Sequence, residues 1–246
     1  MGRAKDIIVK VIPSKIANDF VRKHHYSGKV VPNSTLHFGA FLDGVLHGVM
    51  SYGCSMDKRK TLTLVKDTPW NDILELNRMA FDEVLPRNSE SRCISISLKM
   101  IMKNAPHIKW IISYADGCQC RDGTIYRASG FCLTGVKVNK TILIMPDGSI
   151  VADKTLNNSN FIKKGESAGY WKKNGASAIA GFQLRYIYFL DPSYKSKLTC
   201  PILPFSKIDE MNARMYKGKK LSPRSKDSVA TGFQPEEGGA IPTLGL

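Results

Sequence analysis

Four small polar residues, Asn88-Ser89-Glu90-Ser91, constrain the chain more than any other feature. They follow a strand-like aliphatic run over residues 73–81 and open a segment in which Ile94, Leu98, Ile101 and Met102 recur at helical spacing. The stretch Cys93-Ile94-Ser95-Ile96-Ser97-Leu98 also alternates like a strand. The cap and the spacing together favour a helix to about Asn104, stopped by Pro106. A helix that starts straight after a strand presents unpaired backbone N–H groups and the positive end of its dipole. That is a ready site for a phosphate or pyrophosphate.

The flanking pattern predicts a strand over 7–12 and a helix from Pro13-Ser14 to about His24, with Ile16, Phe20 and Val21 on one face. Strands over 36–42 and 45–52 form a hairpin around Asp43-Gly44, a strong turn signal. A buried strand over 108–114, a short helix over 124–129 and a strand over 131–138 follow. The order is β-α-β-β-β-α-β-α-β, which is mixed α/β. Residues 139–191 read as a further strand-rich portion, with no internal repeat. Between Pro192 and Ser228 there are nine Lys or Arg and three acidic residues; the last eighteen residues hold no Lys or Arg and are rich in Gly and Pro. The expected organisation is a catalytic domain over 1–191, a basic extension over 192–228 and a disordered tail over 229–246.

Composition narrows the function classes. At 43% hydrophobic the chain of 246 residues can bury a normal core. It has no apolar run approaching the roughly 18–20 residues of a membrane span, so no membrane partner is expected. The N-terminus reads as neither a secretory signal nor a myristoylation site. The six cysteines are scattered, and Cys118-Gln119-Cys120 has one intervening residue, which makes a zinc knuckle improbable and points to free thiols in a reducing cytoplasm. A formal charge of +15 points to nucleic acid or another polyanion.

Four stretches could carry chemistry. Arg22 to Gly28 contains His24-His25-Tyr26 at a helix end, where adjacent residues point about 100° apart and the two histidines should diverge. In Glu75-Leu76-Asn77-Arg78 the two charges are three apart, which on a regular strand puts them on opposite faces. Asp116 closes a buried strand before Gly117, as a crevice carboxylate or a plain turn residue. Tyr126 projects from a short helix ended by Gly130-Phe131.

Together these stretches resemble something specific. The element order, the capped loop and the Tyr126-x3-Gly130-Phe131 ending resemble the GNAT acyl-CoA N-acyltransferase fold. The blocks themselves, from His24-His25-Tyr26-Ser27 and the Phe38-Gly39-Ala40 to Gly48-Val49 hairpin through Glu75 to Arg78, Asn88 to Arg92, Pro106 to Trp110, Tyr114 to Asp116 and Gly123 to Tyr126, resemble the Mom family of DNA modification proteins of Mu-like phages and prophages. The likeness covers about residues 5–138 closely and 139–190 loosely.

The resemblance implies a GNAT-like mixed central sheet flanked by helices. It implies conversion of adenine in DNA to N6-carbamoylmethyladenine, protecting phage DNA from restriction in the host cytoplasm. Catalytic roles fall on His25, Tyr26, Arg78, Asp116 and Tyr126. Acetyl-CoA or a related acyl-CoA is implied at Asn88, Ser89, Ser91 and Arg92, and iron at His25, Tyr26 and Asp116. The usual GNAT phosphate loop carries glycines, and Arg87 to Arg92 has none. The DNA partner would present a flipped adenine, with Lys58-Arg59-Lys60 and the 192–228 segment on its phosphates. Oligomeric state stays open, a homodimer included. An ordinary GNAT acetyltransferase and a non-enzymatic DNA-binding protein are the rival classes.

Overall fold

In the computed structural model Asp43 and Gly44 take left-handed backbone (φ 52° and 81°) and close the expected hairpin between β2 (Ser34–Leu42) and β3 (Val45–Gly53). The structure describes residues 3–118, 122–157, 159–216 and 219–220. Before the hairpin, β1 (Ile8–Val11) pairs antiparallel with β2, and α1 (Ser14–His24) lies between them in sequence. After it come α2 (Lys58–Leu62) and β4 (Ile73–Phe81), antiparallel to β3. The 16-residue helix α3 (Ser89–Asn104) then crosses over to β5 (Trp110–Asp116), which runs parallel to β4. The helix that the small polar cap predicted is therefore present, and the competing strand pattern yields to it.

Two short elements, α4 (Thr124–Ala128) and β6 (Cys132–Val138), follow as expected. The region 139–181 differs from the strand-rich expectation. It holds β7 (Ile142–Ile144), β8 (Ile150–Ala152) and β9 (Ser177–Ala178) in a separate three-stranded sheet, with α5 (Asp153–Leu156), α6 (Ser159–Lys163) and α7 (Ala168–Lys173). These helices are too short for the 3.6-residue period to show in the sequence. The insert has a small core of its own around Leu143, Met145, Leu156 and Ala168. The chain then returns as β10 (Phe182–Phe189), which enters the main sheet between β5 and β6, antiparallel to both. The seven-stranded order is β1-β2-β3-β4-β5-β10-β6. This is the mixed, helix-flanked α/β sheet expected.

The two faces of the sheet are packed differently. On one, Ile94, Leu98 and Ile101 of α3 pack on Phe38, Met50, Tyr52, Leu76 and Ile111. Each of those three helix residues is buried and contributes about 1.5–3 kcal/mol. On the other face α1 covers only part of the sheet, through Ala17 and Val21 on Ile12, Val49 and Ala80. Ile16, expected on that inner face, is instead 47% exposed, because the buried stripe runs through Ala17 and Val21. A second patch on this face joins Leu64 and Val65 to Ile73, Trp110 and Ile112.

Beyond Asp191 the chain stays on the body. Leu198 bridges Val65, Leu203 bridges Leu133, and Ile208 and Ala213 are buried in the main core. The helix α8 (Ser206–Glu210) precedes Arg214, whose Nε lies 3.3 Å from the Asp122 carboxylate. The part of the basic segment up to residue 214 is thus folded, whereas the expected tail over 229–246 and Cys120 lie outside the described residues. No described helix is long and apolar enough to cross a membrane.

Two glycines of the hairpin should respond oppositely to substitution. A Cβ on Gly53 would meet the Asn33 carbonyl oxygen at 2.0 Å, so Gly53→Ala should cost about 3 kcal/mol or more in urea unfolding. Gly44 has nothing within 4 Å of an added Cβ and a left-handed φ that asparagine tolerates. Gly44→Asn should stay within about 1 kcal/mol of the parent.

Candidate functional site

The site begins with an irregularity in β4. Its pairing with β3 steps from Ser51↔Arg78 to Tyr52↔Leu76, leaving Asn77 as the extra residue of a β-bulge. Leu74 and Leu76 pack toward α3, and so do Met79 and Phe81, so the side-chain alternation reverses at Asn77. Glu75 and Arg78 therefore share the α1 face of the sheet. Sequence spacing predicted opposite faces; the bulge is the physical reason that it fails.

Between the two apolar patches of this face lies a polar strip built on these residues. Arg78 donates from Nε to the Lys29 carbonyl at 2.9 Å and from Nη1 to the Asn77 carbonyl at 2.8 Å. Burial lowers its pKa, opposed by Tyr26 and Glu75. Glu75 is pushed up by burial and held down by the Ser55 hydroxyl, the Met56 N–H, Arg78 and Lys154. Tyr114 on β5 is pushed up to about 12, chiefly by burial and then by the Glu75 charge. Glu75 and Tyr114 are the members that sequence reasoning left out of the site. The bulge that brings Glu75 in has no sequence signal.

The end of α1 supplies His25 and Tyr26. The His25 N–H closes the helix on the Val21 carbonyl at 3.0 Å, after which the backbone is extended. His24 stacks on Phe20 instead, so the two histidines diverge as expected. Nδ1 of His25 accepts from the Ser27 N–H at 3.2 Å and lies 2.8 Å from Ser27 Oγ, which assigns the proton of the neutral ring to Nε2. Desolvation first, and the Arg78 charge second, lower the His25 pKa to about 4. Its ring lies 4.2 Å from that of Tyr26.

The remaining expected residues are Asp116 and Tyr126. Asp116 ends β5, where Oδ1 accepts from the Cys118 N–H at 3.0 Å and Asn139 Nδ2 at 3.3 Å, a turn role. Burial raises its pKa against those bonds. Tyr126 is 7% exposed and packs against Phe131 and Tyr186 in the core under α3, on the other face from His25.

At the start of α3, Asn88 does not cap with its side chain. It adopts a left-handed backbone (φ 68°), the conformation a glycine would supply. Ser89 Oγ donates to the Pro86 carbonyl, Ser91 Oγ to the Asn88 carbonyl and Arg92 Nη2 to the Lys5 carbonyl. The Ser89, Ser91 and Arg92 side chains are thus engaged within the protein, and the Ser89 N–H bonds the Pro86 carbonyl at 3.2 Å, so a pyrophosphate would fall to the remaining first-turn amides.

An iron centre finds less. A histidine bound to metal through Nε2 carries its proton on Nδ1 and donates it. Here Nδ1 faces the Ser27 N–H, Arg78 acts on the same ring, and Asp116 Oδ1 is taken up by its turn. Among the described residues no group of three or more His, Cys, Asp or Glu could hold a metal ion. The structure gives the set His25, Tyr26 and Asp116 no support as iron ligands.

Because folding lowers the His25 pKa, its neutral form is the one the fold favours. That contribution is complete above the unfolded value near 6.5 and is lost as pH falls toward about 4. Titrating the imidazole by NMR should give an apparent pKa well below 6. Arg78→Met should move it up, but not to 6.5, since desolvation remains.

Residues 6–207 match the model of the Mom protein family. Over 198 residues the chain is 34% identical to the methylcarbamoylase Mom of Escherichia phage Mu, covering 79% of this chain and 80% of that protein. Among solved structures, an acetyltransferase from Bacillus subtilis in complex with CoA aligns with TM-score 0.44 and 10% identity, over 74% of this chain and 98% of that one. FeeM, an N-acyl amino acid synthase from uncultured soil microbes, aligns with TM-score 0.44 and 15% identity, over 78% and 95% of the two chains. On the family match and the Mu relative, the chain belongs to the Mom protein family.

Proposed function

We propose that this protein modifies DNA, converting adenine to N6-carbamoylmethyladenine so that phage DNA resists restriction in the host cell. The observation that carries the reading is the 34% identity with the Mu protein named a methylcarbamoylase, over four-fifths of each chain. The polar strip supplies a place for the chemistry. Arg78, fixed by two carbonyls, keeps Nη2 for an oxygen of the donor group. His25, neutral at physiological pH with its proton on Nε2, presents a hydrogen-bond donor, and Tyr26 stands beside it. Asp116 holds the end of β5, which borders the strip.

An acyl-CoA would supply an activated thioester, with its pyrophosphate on the first-turn amides of α3. Ser129 Oγ, which donates to the Ile125 carbonyl at 2.7 Å, lies 3.2 Å from the Ser91 carbonyl, so α4 sits beside that turn. Tyr126, on α4, lies on the same side of the sheet as that turn, in the core under α3. The target amine is paired in duplex DNA, so the base must leave the stack, and phosphate contacts from Lys and Arg make binding fall steeply with salt.

Nucleoside mass spectrometry tests the reading. Plasmid from cells expressing the parent chain should contain a deoxyadenosine heavier by a carbamoylmethyl group, and plasmid from cells with folded Arg78→Met should lack it. Unmodified deoxyadenosine from abundant, folded parent protein would overturn the DNA reading and leave an ordinary acetyltransferase in its place.

A further inference from the structure

Two large apolar side chains stand exposed beside the polar strip. Tyr26 is 55% and Met56 65% exposed. Each is tied to one end of the strip floor. Tyr26 lies close enough to Arg78 to raise its pKa, and the Met56 backbone N–H is bonded to the Glu75 carboxylate. The bulge places Glu75 and Arg78 on one face, separated by about two strand steps, or about 7 Å.

The rim around this gap is basic and comes from three separate elements. Lys29 follows α1 and reaches the insert, with Nζ 3.4 Å from Thr155 Oγ1. Lys154 of the insert lies within electrostatic reach of both the Glu75 and the Asp57 carboxyls. Lys58 and Arg59 of α2 are exposed. Cations from three elements around two exposed apolar side chains and a carboxylate match a phosphate-flanked, unstacked base better than a small neutral amine.

From this geometry we infer that Tyr26 and Met56 clamp an extruded nucleobase, and that Glu75 in the floor accepts a hydrogen bond from its exocyclic amino group. The inference rests on the DNA reading above and deepens it. A carboxylate accepts from an amino group and opposes a keto oxygen at the same position, so Glu75 selects amino-bearing bases. Met56 lends a polarisable, adaptable surface to one side of the ring.

Binding anisotropy tests the clamp with the full chain and short duplexes. One duplex carries a central adenine opposite an abasic site, which makes extrusion easy, and its pair carries hypoxanthine there, a keto oxygen replacing the amino group. The parent should prefer adenine by about tenfold or more. Glu75→Gln, whose amide can donate to the keto oxygen, should shrink that preference to about threefold or less. Met56→Ala should weaken both duplexes by about fivefold or more without changing their ratio, and Met56→Leu should restore binding. Equal affinity of the parent for both bases, or unchanged binding by Met56→Ala, overturns the clamp. No binding to either duplex by the parent fails the DNA reading itself and takes the clamp with it.

Discussion

The bulge at Asn77 is the constraint on which the site depends. One unpaired residue in β4 rotates everything after it by half a pleat, so Arg78 joins Glu75 on the α1 face. The irregularity is held by polar contacts. Asn77 Oδ1 accepts from Ser34 Oγ at 2.8 Å, its carbonyl accepts from Arg78, and its Nδ2 is buried with no partner among the described residues. On β3, opposite this stretch, Gly53 leaves room for the Asn33 backbone to approach. Strand geometry is locally sacrificed to set a cation and a carboxylate side by side.

The sheet then divides its labour by face. Toward α3 it is a continuous apolar core, and Tyr52, fully buried there, needs only the Ser97 hydroxyl at 2.6 Å to satisfy its own. Toward α1 the cover is incomplete, and the polar strip occupies the gap between two apolar patches. Desolvation acts on His25, Glu75 and Arg78 alike, but with opposite consequences. It discharges His25 and disfavours the Glu75 carboxylate, while Arg78, with the highest intrinsic pKa, stays charged. The result is a fixed cation among groups whose charge burial suppresses.

Much of the architecture could be read along the chain, because local signals there agree with the tertiary outcome. Asp43-Gly44 required a hairpin, Pro13 and Pro106 bounded helices, and Ile94, Leu98 and Ile101 do face the core. Two kinds of information stayed hidden. Short helices such as α5 and α7 make fewer than two turns, so their period never appears. Side-chain parity after a bulge depends on cross-strand pairing, which spacing alone cannot supply, and so Glu75 was assigned away from Arg78. Asn88 misled in another way: a residue suited to capping serves through its left-handed backbone.

The position of β10 has a consequence for how the protein comes into being. Strands β5 and β6 do not touch; each pairs along its length with residues 182–189, which arrive after the whole insert. During synthesis the sheet therefore carries an open slot until most of the chain has left the ribosome, and Ile208 and Ala213 seal the core later still. Contacts of such long sequence separation are slow to form and expose strand edges meanwhile. The polar strip borders β5, so a nascent chain holds its cation and carboxylate on an unfinished sheet, and completion of the fold and of the site fall at nearly the same moment.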